Sequence, residues 1–182
     1  AGLTLKGSKC EFGRQEVPYL GHIISADGVR PDPKKIEAIV KWPVPKDKKE
    51  LSSFMGLIQY YRRFSKNFST KAAPLNDLRK ASQTYEWTAE CQKTFDLLKQ
   101  EVITYPILRY PNFAKRFVVY TDASDRGLGA VLAQYEGSTE WVISYASRTL
   151  SDAERKYHIN EKEMLAIFWS VTGPFRPYVF AR

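Results

Sequence analysis

The chain has 182 residues, of which 43% are hydrophobic and 26% charged, and a net charge of +8. That length suggests one or two compact domains, the apolar fraction excludes wholesale disorder, and no apolar run approaches the roughly 18 residues that span a bilayer. Residues 1–80 hold 16 Lys and Arg against 8 Asp and Glu, whereas residues 81–182 hold 12 of each, so the whole basic excess lies in the first part. A basic segment beside a neutral one fits a polyanion-binding surface, and it fits equally well a solvated surface biased toward solubility. Two cysteines, Cys10 and Cys91, are too few for a disulfide framework or a thiolate zinc site, and read as reduced thiols of an intracellular protein. The opening Ala1-Gly2-Leu3-Thr4-Leu5-Lys6 has neither the basic leader nor the apolar core of a signal peptide. It does not begin with methionine, so the expectation is a piece of a longer chain.

In chain order, residues 17–30 read as a hairpin: Tyr19-Leu20-Gly21-His22-Ile23-Ile24 is β-leaning, and Ala26-Asp27-Gly28 supplies a turn. After Pro33, Ile36, Ile39 and Val40 line one face of a short helix that Pro43 stops. Residues 47–65 carry the strongest helix signal. Asp47 is a good N-cap, with Glu50 three residues later as in a capping box, and Leu51, Phe54, Met55, Ile58 and Tyr61 recur at helical spacing. A second helix is expected over 67–80 and a third over 88–104, capped by Thr88 and carrying Phe95, Leu98 and Val102. From Lys115 the period changes. Runs 116–122, 128–135 and 141–146, separated by short turns at Asp125-Arg126-Gly127 and Glu136-Gly137-Ser138, predict a three-stranded antiparallel meander. A helix over 160–171 follows, with Met164, Ile167 and Phe168 as its core-facing stripe, and Gly173-Pro174 ends it. The fold class is mixed α+β: a hairpin, a helical unit, then three strands and a helix.

Two carboxylates stand out. Asp122 continues the apolar strand Phe117-Val118-Val119-Tyr120-Thr121, where burial is costly unless it is paired, hydrogen-bonded or metal-bound. Glu163 borders the expected buried face of the last helix. A helix packed on the meander would bring it toward Asp122, and two such oxygens suit a hard cation, Mg²⁺ or Mn²⁺. The structural alternatives are that Asp122 is a strand-end turn residue bonding the Ser124 or Asp125 backbone, and that Glu163 returns a capping box to Asn160. Spacing alone favours these structural roles.

On helix 47–65 the face away from the apolar stripe reads Ser52, Gly56, Tyr60 and Arg63. A mid-helix glycine costs about 1 kcal/mol relative to alanine and so needs a reason. One is close approach of a nucleic-acid minor groove, with Tyr60 against sugars and Arg62 or Arg63 on phosphates. The other is tight helix–helix packing.

The strings then carry more than periodicity does. Tyr19-Leu20-Gly21-His22-Ile23-Ile24, Lys34-Lys35-Ile36 through Trp42-Pro43-Val44-Pro45, and Leu51–Phe64 with Gly-Leu-Ile-Gln-Tyr-Tyr-Arg-Arg-Phe resemble the reverse transcriptase of gypsy-type LTR retrotransposons. So do Trp87 through Pro106-Ile107-Leu108, Tyr120-Thr121-Asp122-Ala123-Ser124 with Gly127-Leu128-Gly129-Ala130-Val131-Leu132, Ile143-Ser144-Tyr145-Ala146-Ser147-Arg148-Thr149-Leu150, and Glu161-Lys162-Glu163-Met164-Leu165-Ala166-Ile167. The resemblance covers nearly the whole chain, in order.

It implies that residues 1–30 are the edge of a polymerase palm, with a primer grip at Leu20, Gly21 and His22. Residues 31–80 would be a thumb whose Ser52, Gly56, Tyr60, Arg62 and Arg63 follow a template–primer or RNA–DNA duplex, residues 81–112 a connector, and residues 113–182 the front of a ribonuclease H domain. Asp122 matches that family's first metal-binding aspartate and Glu163 its helix glutamate. Glu161 matches less well, because the family's glutamate directly precedes the Leu/Met-x-Ala stretch. The parent would copy RNA into DNA and hydrolyse RNA in hybrids with Mg²⁺ or Mn²⁺, as part of a larger Pol polyprotein, in a cytoplasmic virus-like particle or the nucleus, with no membrane partner. The family's polymerase Tyr-x-Asp-Asp is not present, and only two of the four ribonuclease H carboxylates are. The piece alone is therefore expected to be inactive, with its C-terminal sheet open at one edge. The competing readings are a non-catalytic nucleic-acid-binding remnant and a structural remnant that binds nothing.

Overall fold

The computed structural model describes residues 12–180, together with Thr4, Lys6, Gly7 and Cys10. The leader reading of residues 1–6 falls mostly outside the described residues. Both cysteines are free, and no described helix is long and apolar enough to cross a membrane.

The first sheet is an antiparallel meander of β1 (Glu16–Tyr19), β2 (His22–Ser25) and β3 (Gly28–Pro31). It is one strand larger than the expected hairpin. The added turn is Leu20-Gly21, where φ is +46° and +78°, the mirror-image turn whose twist matches its flanking strands. Leucine is rare in that conformation, so nothing local signals the turn. Val29 and Leu108 exchange backbone hydrogen bonds of 2.8 and 2.9 Å, tying β3 to the middle of the chain.

The helical unit begins with α1 (Pro33–Val40), where Asp32 accepts the Lys34 N–H and proline occupies the first turn. In α2 (Lys48–Tyr60) Asp47 accepts the Glu50 N–H at 2.8 Å. The Glu50 carboxylate, however, reaches Lys46 N–H at 2.8 Å rather than Asp47, so the expected box is displaced by one residue. The helix also stops before 65, as the chain tightens into a 3-10 turn at Arg62–Phe64. The single helix expected over 67–80 is two, α3 (Phe68–Lys71) and α4 (Ala73–Leu78). Pro74 lacks the N–H that would continue the ladder. The next helix, α5 (Ala89–Ile103), is capped by Thr88 as expected. Leu51, Phe54, Met55, Ile58, Phe95, Leu98 and Val102 form the core, with Phe54 and Phe95 rings 4.6 Å apart.

The second sheet is β4 (Val118–Ala123), β5 (Gly127–Glu136) and β6 (Thr139–Thr149), antiparallel and in that order. One face, with Leu128, Ala130, Leu132 and Ile143, packs on α6 (Ile159–Thr172) and on the turn and short α7 (Arg176–Val179) through Ala166, Trp169 and Phe175. The other face meets the 3-10 turn and α3. There Gly127 leaves room for Ser69 and Thr70, and Ser147 Oγ accepts the Ser69 N–H at 2.9 Å.

The orientation of α6 corrects the expected one. Met164, Ile167 and Phe168 are 65%, 46% and 65% exposed, whereas Lys162, Ala166 and Ser170 are buried. Small residues let the helix lie close on the sheet, and the buried Lys162 stem carries its ammonium out to Asp125 at 2.9 Å.

Candidate functional site

The Leu20-Gly21 turn docks on the end of α2. Tyr60 Oη donates to the Leu20 carbonyl, and Tyr61 Oη donates to the Gly21 carbonyl at 2.9 Å. His22 stacks on Phe64 at 5.6 Å and lies 5.1 and 5.5 Å from the Tyr60 and Tyr61 rings. The structure thus brings Leu20, Gly21 and His22 together with Tyr60. The strained backbone of Leu20 is held by a hydroxyl 40 residues away. Burial lowers the pKa of His22 below its ordinary value; the Leu20 carbonyl opposes this and Arg63 adds to it. The imidazole at this turn is therefore neutral near pH 7, a packing and hydrogen-bonding group rather than a cation.

Ser52, Gly56, Tyr60, Arg62 and Arg63 are all exposed. Ser52 Oγ accepts from Arg79 Nε at 3.2 Å. Around Gly56, a Cβ built on the backbone meets no atom within 4 Å beyond its chain neighbours and the helix's own backbone. This corrects one of the two sequence explanations: no described helix packs closely there. The glycine lies on an open face, with Arg62 and Arg63 at its C-terminal end making no ion pair among the described residues.

The carboxylates lie at the end of β4. Asp122 pairs with Gly129 across the strands, and Ala123 with Leu128. Since Ala123 packs in the core under α6, strand alternation turns Asp122 to the opposite face. Glu163 Oε1 accepts the Ala123 N–H at 3.3 Å. The two acids therefore approach the strand end from two sides. Neither structural alternative holds. The turn is built by Ser124, whose Oγ accepts the Arg126 and Gly127 N–H groups. The cap of α6 is a box between His158 and Glu161, so Glu161 is engaged and Glu163 is not. Asp122 Oδ1 and Glu163 Oε2 take no hydrogen bond among the described residues, and each is a carboxylate oxygen of the type a hard cation takes as a ligand. Among the described residues there is no group of three or more His, Cys, Asp or Glu that could hold a metal.

Sequence reasoning missed Asn67. Its backbone is left-handed, φ +54°, and its Nδ2 donates to Asp122 Oδ2 at 3.1 Å. The signals were a residue type that tolerates that conformation and a strand glycine, Gly129, which marks close approach of another group.

Residues 87–182 match the family model described as the RNase H-like domain found in reverse transcriptase. The retrovirus-related Pol polyprotein from transposon 297 of Drosophila melanogaster is 44% identical over 183 residues, covering 100% of this chain and 17% of that polyprotein. That from transposon 412 of the same organism is 39% identical, covering 99% and 14%. The transposon Tf2-3 polyprotein of Schizosaccharomyces pombe is 36% identical, covering 94% and 13%. The chain thus spans less than a fifth of the length of these relatives. Among solved structures, the foamy viral protease-reverse transcriptase in complex with RNA/DNA hybrid superposes with a TM-score of 0.75 at 25% identity, covering 87% of this chain and 22% of that one. The same enzyme in complex with dsDNA gives 0.77 at 24% identity, covering 91% and 35%, a likeness of fold alone.

Proposed function

The chain belongs to the reverse transcriptase RNase H-like family, as a region of a gypsy-type retrotransposon Pol polyprotein, and from that premise we propose that it grips the nucleic-acid duplex of its parent and supplies two carboxylates of a metal-dependent hydrolytic site. In this reading residues 1–30 are the edge of the palm, 31–80 the thumb, 81–112 the connector and 113–182 the ribonuclease H-like domain. The observation that carries it is the open face at Gly56. A mid-helix glycine sacrifices about 1 kcal/mol, and no packing within the described chain accounts for it. A duplex backbone lying against that face does, with Ser52 and Tyr60 beside it and Arg62 and Arg63 on phosphates. The Leu20-Gly21-His22 turn, joined to Tyr60, borders the same surface. The structural neighbour solved with an RNA/DNA hybrid supports a hybrid as the partner.

Asp122 and Glu163 would hold Mg²⁺ or Mn²⁺, which when bound activates water and stabilises the leaving oxygen in phosphodiester hydrolysis. Around that site Asp122 and Glu163 contribute charge from two sides of one strand end, and the Ala123 N–H orients Glu163.

Binding of the 182-residue chain to an RNA–DNA hybrid, measured across a salt series, tests the proposal. Affinity should fall steeply with salt, and replacing Arg62 and Arg63 together by alanine should reduce the log–log slope by roughly 1.5–2. An unchanged slope rejects the assigned face, and no binding at low salt rejects the duplex-gripping role.

A further inference from the structure

Asn67 joins the helical unit to the sheet at the carboxylate itself. Gly129 is the direct cross-strand partner of Asp122. A Cβ at Gly129 would lie 1.9 Å from Asn67 Oδ1. The missing side chain is therefore the slot through which the Asn67 amide reaches the aspartate. Nδ2 then donates to Asp122 Oδ2 at 3.1 Å, leaving Oδ1 without a hydrogen bond among the described residues. An aspartate at position 67 would set two acceptors against each other, so the amide supplies something its isostere does not. The left-handed backbone at Asn67 aims the side chain at the sheet rather than along α3. Ser69 N–H to Ser147 Oγ, at 2.9 Å, anchors the same contact one strand away.

We propose that Asn67 is a positioning residue for Asp122: its amide holds one carboxylate oxygen and so presents the other to a divalent cation shared with Glu163. The inference rests on the reading of Asp122 as a metal ligand. It extends that site to a residue of the helical unit, 55 positions away in sequence, so that docking of the two units and orientation of the ligand become one event. Partners that orient a metal ligand typically change affinity by 10–100-fold when removed.

Mn²⁺ alone, titrated into the 182-residue chain and followed by paramagnetic broadening of backbone amide resonances near Ala123, reads this out without hydrolysis. Asn67→Gly keeps the left-handed backbone and deletes the amide. It should weaken Mn²⁺ binding about tenfold or more while leaving resonances far from the sheet unchanged. Gly129→Ala should weaken binding similarly by displacing Asn67. Added to Asn67→Gly, it should cost nothing further, because the atom it would strike is gone. Ser147→Ala, which removes one docking hydrogen bond but leaves the Asn67 amide in place, should weaken Mn²⁺ binding far less than Asn67→Gly does. Equal or tighter Mn²⁺ binding by Asn67→Gly overturns the proposal. If the broadening is absent, or persists in Asp122→Asn, the metal reading itself fails and the inference falls with it. Loss in Asp122→Asn with no effect of Asn67→Gly sinks the positioning role alone.

Discussion

Glu163 accepts the backbone N–H of Ala123 at 3.3 Å, one residue beyond Asp122 on β4. The helix glutamate is thus tied to the strand that bears the aspartate, although the two side chains leave that strand end on different sides. Two carboxylates alone hold a hard cation weakly, since Mg²⁺ and Ca²⁺ sites draw on more oxygen ligands. Hydrolysis of an RNA–DNA hybrid by the 182-residue chain in Mg²⁺ or Mn²⁺ is therefore expected at background level, the same for wild type and Asp122→Asn. Robust wild-type cleavage abolished by Asp122→Asn would show that the two ligands suffice.

The exposed stripe on α6 makes a second expectation. Glutamine at Met164, Ile167 or Phe168 should change unfolding free energy by no more than about 0.5 kcal/mol, as surface substitutions do, and should reduce binding of a hydrophobic dye. Leucine at buried Ala166, which packs with Leu128 and Leu150, should cost about 1–3 kcal/mol by overpacking. Urea denaturation of the four variants distinguishes this orientation from its opposite, in which the large residues would be the sensitive ones.

The Leu20-Gly21 turn is the third test. Gly21 has φ +78°, and a Cβ there would stand 3.1 Å from Tyr61 Oη, itself bonded to the Gly21 carbonyl. Gly21→Ala should lower stability by about 1–2 kcal/mol, measured by chemical denaturation. It should also loosen the Tyr60–Leu20 contact, visible as faster amide exchange in β1 and β2. Unaltered exchange there would mean the turn does not depend on its docking.

Acid should weaken the fold in two separable steps. Burial holds His22 below its ordinary pKa of 6.5, so the folded state binds its proton less readily than the unfolded chain. The stability from the neutral ring is complete above about pH 6.5 and is lost as pH falls through the lowered folded value. Glu154, bonded in parallel by the Arg148 guanidinium at 2.8 Å and by the Ser151 N–H, is held down to about 2 from 4.5. Its contribution is present above about pH 4.5 and is lost between there and pH 2. It amounts to about 1 kcal/mol, because the pair is partly solvated. Unfolding midpoints from pH 2 to 8 should lose the lower step in Glu154→Gln and the upper step in His22→Gln. A step that survives its substitution belongs to another group.

Much of this architecture is written locally. Asp47 and Thr88 are caps because their side chains reach an N–H three residues on, a contact encoded within one turn of chain. The alternation along β4 and the glycine-bearing turn before β6 likewise follow from neighbouring residues, and the strings that resemble retroelement reverse transcriptases point to the family that the 44% identity to a retrotransposon Pol polyprotein shows. The break between α3 and α4 is local as well, since Pro74 lacks an N–H, although helical spacing alone ran the two together. The carboxylates Asp122 and Glu163, too, stand out as residue types in the linear string.

What tertiary structure alone decided is where those groups point and what they meet. Met164, Ile167 and Phe168 have the spacing of a buried stripe, yet spacing reports only that apolar residues share a face, not whether anything covers it. The inward face of α6 was chosen by how closely Ala166 and Ser170 let the helix approach the sheet. Leu20 takes a left-handed conformation its side chain disfavours because Tyr60, 40 residues later, bonds its carbonyl. The Asp122 carboxylate is held by Asn67 through the space that Gly129 leaves. Hydrogen bonds within a turn are settled by the residues beside them. Contacts spanning 40 or 55 residues exist only once the whole chain has packed.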